Sequence, residues 1–106
     1  MINVFITDDH TVVRQGVRNM LSIAGDVAVV GEAASGDELL QVLPSLSCNL
    51  LLLDITMPGT SGVELIGKIK NLAPQLPILI LSMHRDAQVA QSVLRAGASG
   101  YITKDR

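Results

Sequence analysis

The run NLLLLD, Asn49 to Asp54, sends four leucines straight into an aspartate, and the Pro58-Gly59 pair beyond it belongs to a turn that no strand can continue. A segment apolar at every position, rather than at alternate ones, fits a strand covered on both faces, as in a parallel sheet flanked by helices. Four more short β-rich runs fit the same reading: INVFIT from Ile2, VAVVGEA from Val27, PILILS from Pro77 and SGYIT from Ser99. Helical spacing fills the gaps between runs. Val13, Val17, Met20, Leu21 and Ala24 form one stripe, Leu65, Ile66, Ile69, Leu72 and Ala73 a second, and Val89, Ala90, Val93 and Leu94 a third, all expected to face the core. Two S-x-x-E segments, Ser35 to Glu38 and Ser61 to Glu64, offer capping boxes, while Gly25 and Gly97 close the first and fourth helices.

Strands alternating with helices make the chain α/β, and right-handed crossovers leave few ways to wind it. The expected architecture is a flavodoxin-like, doubly wound, parallel five-stranded sheet in the order 2-1-3-4-5. A length of 106 residues buries one core, so residues 1–106 are read as a single domain. With 48% apolar and 17% charged residues the chain is globular, and a net charge of -2 gives no reason to expect a nucleic-acid surface. Phe5 and Tyr101 are its only aromatic residues, which argues against base stacking and against an aromatic-walled flavin site. The lone Cys48 excludes an intrachain disulfide and a cysteine zinc cage, and is read as a small buried hydrophobe in a reducing, cytoplasmic setting. No signal peptide is evident, and no apolar run approaches the ~18 residues of a membrane span.

Sites on doubly wound sheets form beyond the carboxyl ends of the strands, at the switch point between the first and third. Those ends carry Asp8 and Asp9 after the first strand, Asp54 after the third, Ser82 after the fourth and Lys104 after the fifth. The second strand offers nothing comparable. Three carboxylates in one cleft repel, by about 4 kcal/mol for a pair ~4 Å apart at a protein surface, so a cation is wanted. Oxygen ligands without His or Cys in the set favour a hard ion such as Mg²⁺, which keeps waters and takes further ligands from a phosphate. A carboxylate beside such an ion can itself be a phosphoryl-accepting nucleophile, and Asp54, fixed by a buried strand, is the natural candidate. Asp9 and Asp54 would hold the metal with a carbonyl such as that of Thr56, Asp8 would act through water, and Ser82 and Lys104 would bind phosphoryl oxygens.

The segments DDH at Asp8, LLLLDITMPGTSG, LSMH ending at His84 and AGASGYITK ending at Lys104 together resemble the receiver domain of bacterial two-component response regulators, over the whole chain. DDH, SMH and GYITKD resemble in particular the LuxR/NarL/FixJ-type subgroup, whose output is a helix-turn-helix DNA-binding domain. The resemblance implies that a sensor histidine kinase phosphorylates Asp54, that Asp8 and Asp9 build the acidic Mg²⁺ site, and that Ser82 and Lys104 read the phosphoryl group. Tyr101 matches the aromatic position that reorients when the hydroxyl is drawn toward the phosphate, switching the surface of the fourth helix and fifth strand. Receivers usually end in a fifth helix, whereas this chain stops at Arg106. The expectation is a receiver truncated before its last helix and output domain, reaching DNA only through that absent domain. One sheet face near the first and fifth strands then loses its apolar cover, inviting a homodimer or a non-native association.

Other readings compete. A haloacid-dehalogenase-type, Mg²⁺-dependent phosphatase needs a second aspartate where Thr56 stands, and a phosphorylation-independent interaction module leaves the acidic pocket unused. Nucleotide binding has no glycine-rich signature to support it. Taken singly, Asp8 and Asp9 read as acids complementing a helix dipole, Ser82 as a turn residue and Lys104 as a solvated charge; their convergence on one sheet edge is what favours a site. His10 and His84 are read as rim residues, and Arg14 and Arg18, one helical turn apart, as a solvated helix face.

Overall fold

A computed structural model describes residues 1–55, 57, 62–82 and 87–103. Five strands, β1 (Ile2–Thr7), β2 (Val27–Ala33), β3 (Leu50–Asp54), β4 (Ile78–Ser82) and β5 (Gly100–Thr103), alternate with four helices, α1 (Thr11–Ala24), α2 (Gly36–Val42), α3 (Gly62–Leu72) and α4 (Ala87–Ala96). All pairings are parallel, in the order β2-β1-β3-β4-β5, as the alternation of runs predicts. One element went unforeseen. A 3-10 turn at Leu43–Ser45, with Pro44 in its first turn, follows α2 directly and buries Leu43.

Strand alternation sorts the apolar side chains into two cores. Leu51 and Leu53 of β3 and Ile78 and Ile80 of β4 pack with Leu39 of α2, Leu65, Ile66 and Ile69 of α3 and Val93 of α4. Most of these are fully buried, and each such Leu or Ile contributes about 1.5–3 kcal/mol by leaving water. On the opposite face Val4, Ile6 and Leu52 form a smaller core beneath α1. This face is thinly covered. No residue of α1 is fully buried, and Leu79, Leu81 and Leu50 are only half-buried. An apolar cavity of about 330 Å³ opens between α1 and the sheet, lined by Val4, Val17, Leu21, Leu52, Leu81 and Ile102 among others. The uncovered surface expected near the first and fifth strands is therefore seen.

Four residues expected to face the core, two on α1 and one each on α3 and α4, do not. Met20 is exposed, Ala24 is exposed, and Leu72 and Leu94 stand about half out of the surface despite their helical spacing. Helix ends follow local chemistry more closely. The Ser35 hydroxyl accepts from the Glu38 amide at 3.1 Å, while the Glu38 carboxylate reaches back to the Ala34 amide, one residue before the partner of an ideal capping box. Gly25 (φ 81°) and Gly97 (φ 124°) end α1 and α4 with positive φ, a conformation that costs glycine little. The second S-x-x-E segment begins at Ser61, outside the described residues.

Candidate acidic site at the carboxyl ends of the strands

β1 and β3 are neighbours, with Thr7 paired to Leu53, so the residues that follow them emerge side by side. Asp8 and Asp54 are each 1% exposed, and Asp9 is half-buried beside them. One ligand atom from each of Asp8, Asp9, His10 and Asp54 lies within 4.8 Å of all the others. Hydrogen bonds hold the turn. The Asp8 amide donates to the Ala33 carbonyl at 3.1 Å, extending the β1–β2 ladder, and Asp8 Oδ1 accepts from the His10 amide at 2.9 Å. His10 then begins α1, its carbonyl accepting from the Arg14 amide.

His10 is largely exposed at the rim, as expected, yet its Nδ1 stands 3.0 Å from Asp9 Oδ1 and 3.3 Å from Asp8 Oδ1. The imidazole thus has fixed carboxylate neighbours that sequence did not reveal. Carboxylates concentrated this tightly suit a hard divalent cation: the oxygens repel one another without one, and the donor set is chemically right for Mg²⁺.

Ser82, the last residue of β4, is fully buried, and its register partner on β5 is Thr103. Asp54 pairs with Leu81, so Asp54 and Ser82 end adjacent strands one step apart. Tyr101 is half-buried against the larger core. Thr56, Lys104 and His84, also expected at this edge, lie outside the described residues. Cys48 is far from it in the fold, half-buried at the opposite ends of the strands, where loss of water pushes its thiol pKa up.

Arg14 and Arg18 are not a solvated face. Arg14 Nε donates to Glu32 Oε1 at 2.8 Å and Arg18 Nε to Glu32 Oε2 at 2.7 Å, so both carboxylate oxygens of this β2 residue are taken. Arg14 Nη1 also donates to the Asp8 carbonyl at 2.5 Å. Hydrogen bonds from Arg18 above all, reinforced by Arg14 against the opposing effect of burial, hold the Glu32 carboxyl below its usual pKa. The only trace in sequence was the four-residue spacing of the arginines, and the second strand's glutamate gave no sign of reaching them.

Residues 4–106 match the family model for the response regulator receiver domain. The chain belongs to that family. Curated relatives of this receiver include the nitrate/nitrite response regulator protein NarL of Escherichia coli K12, 35% identical over 96% of the chain, and the response regulator UvrY of the same strain, 36% identical over 98%. The receiver spans 47% and 48% of those two proteins, about half of each. Solved structures agree on the fold. RcsB of Salmonella enterica serovar Typhimurium, bound to promoter rprA in the presence of phosphomimetic BeF3-, superposes with a TM-score of 0.93 at 35% identity, covering 100% of this receiver and 89% of that chain. The signal receiver domain of a NarL regulator from Mycobacterium tuberculosis gives 0.91 at 32% identity, covering 99% and 85%. The flavodoxin-like order of strands is thus a family property. Among the described residues no helix is long and apolar enough to cross a membrane.

Proposed function

We propose that this receiver is a phosphorylation switch in which Asp54 accepts a phosphoryl group from the phosphohistidine of a sensor histidine kinase. The convergence of Asp54 with Asp8 and Asp9 at the end of the central strand is the observation that carries the reading. An Asp54 oxygen attacks phosphorus, the P–N bond to the donor imidazole breaks, and the departing nitrogen keeps the electron pair and gains a proton. Asp8, Asp9 and Asp54, with the carbonyl of Thr56, would hold Mg²⁺, which when bound neutralises the carboxylates and the phosphoryl oxygens. Ser82 and Lys104 would donate to those oxygens.

Modification draws Ser82 toward the phosphoryl group, Tyr101 reorients, and a pre-existing equilibrium shifts at the surface of α4 and β5. A helix-turn-helix DNA-binding output domain is the natural recipient. Support comes from RcsB, whose structure pairs promoter DNA with a phosphate mimic, and from NarL-type relatives about twice this chain's length. A soluble, cytoplasmic setting suits a kinase acceptor with one cysteine. A second copy seated on the open α1 face is the partner that apolar surface favours.

The test is intact-mass spectrometry after incubation with Mg²⁺ and acetyl phosphate. One phosphoryl mass gain is expected, absent without Mg²⁺ and in Asp54→Asn. A folded, Mg²⁺-binding chain that gains no mass, or gains it equally in Asp54→Asn, rules the assignment out.

A further inference from the structure

We propose that Arg14 is a positioning residue for the acidic loop, held by Glu32 of β2 and setting the peptide between Asp8 and Asp9 from behind. The inference rests on the cation-binding reading above and adds a residue to it. The Asp8–Asp9 peptide plane decides where the Asp9 carboxylate aims, because rotating it swings the Asp9 Cα–Cβ bond. Its carbonyl accepts the 2.5 Å hydrogen bond from Arg14 Nη1. Hydrogen bonds from a charged donor are roughly twice as strong as neutral ones, so this one resists the rotation effectively.

Arg14 is in turn immobilised. Its Nε is engaged by Glu32 Oε1 at 2.8 Å, its Nη2 lies 3.3 Å from Thr11 Oγ1, and its side chain is only 15% exposed. Glu32 is fixed from the other side by Arg18. The second strand, which offers no residue at the site, thereby acts on it through one relay: Glu32 to Arg14 to the Asp8 carbonyl. Arg18 meets the relay at Glu32, one helical turn further along α1 than Arg14, which makes it an internal control.

Two physical effects of Arg14 oppose each other, and their sign separates them. A cation near the carboxylates repels Mg²⁺, so on charge alone its removal tightens binding. As a positioning residue its removal loosens binding, by about ten- to a hundredfold, as for outer partners of metal ligands. Mg²⁺ titration calorimetry on the 106-residue chain, paired with thermal midpoints, reads both. Arg14→Gln is expected to weaken Mg²⁺ affinity by at least about tenfold. Arg18→Gln is expected to lower the midpoint while leaving affinity within about twofold. Arg14→Lys, whose single ammonium lacks the fork that engages Glu32 and Asp8 together, is expected to fall between and carries the test where Arg14→Gln does not fold.

Unchanged or tighter binding in a folded Arg14 variant overturns the proposal, as does an equal affinity loss in Arg18→Gln. A wild-type chain that takes up no Mg²⁺ overturns the cation-binding reading itself, a result distinct from either.

Discussion

Gly31 lies directly against Phe5: a Cβ built on the glycine would stand 2.7 Å from the ring's Cε2 and 3.0 Å from Cδ2. The two residues are register partners across β1 and β2, just past an irregularity that leaves Val30 unpaired. Phe5 is 4% exposed within the larger core, so its ring has little room to retreat. Gly31→Ala is expected to destabilise the fold by about 1–3 kcal/mol, measured by urea unfolding. Phe5→Leu in the same chain should recover part of that loss relative to the sum of the two single changes.

Acid sensitivity should follow Glu32. Its carboxyl pKa is lowered in the folded chain, so the ion-paired form stabilises the fold fully above the ordinary value of 4.5 and is lost as pH falls through the lower folded value. Stability curves taken between roughly pH 3 and pH 7 should therefore decline less steeply at the acid end in Glu32→Gln than in the wild type. An identical acid slope in the two proteins would be inconsistent with this assignment.

Crowding of Asp8, Asp9 and Asp54 within 4.8 Å costs stability when no cation is bound. Asp54→Asn should raise the metal-free stability by about 1–3 kcal/mol at low ionic strength, and less in high salt. Mg²⁺ should raise the thermal midpoint of the wild type and have a much smaller effect on this variant. Differential scanning calorimetry with and without EDTA reads both effects.

The open face beneath α1 should make the 106-residue chain self-associate. Ile102 is 49% exposed at its edge and lines the cavity. Ile102→Glu is expected to lower the weight-average mass in sedimentation equilibrium and the binding of an apolar dye, with a change in folding stability within about 0.5 kcal/mol. A wild-type chain that sediments as a monomer without binding dye would contradict the expectation.

What the sequence made legible follows from how locally each feature is determined. β3 and β4 could be read because Leu50 to Leu53 and Ile78 to Leu81 are apolar at every position, whatever lies around them. Asp8, Asp9, Asp54 and Ser82 could be placed at one edge because parallel strands all deliver their carboxyl ends to the same side. Met20, Leu72 and Leu94 were misjudged for the opposite reason: helical spacing identifies a face but not whether another element covers it. Arg14 was missed since its partners, Glu32 and the Asp8 carbonyl, become neighbours only when β2 pairs with β1. His10 likewise acquires its carboxylate contacts from the shape of one turn, which composition does not encode.

β1 starts beside Met1, which is 81% exposed, and delivers Asp8 at its far end. Its six residues, at ~3.3 Å each, put about 20 Å between the two. A fluorophore or immobilising handle attached at Met1 therefore sits at the opposite pole from the carboxylates. A chain tethered there to a sensor surface leaves its acidic cleft facing the flowing solution.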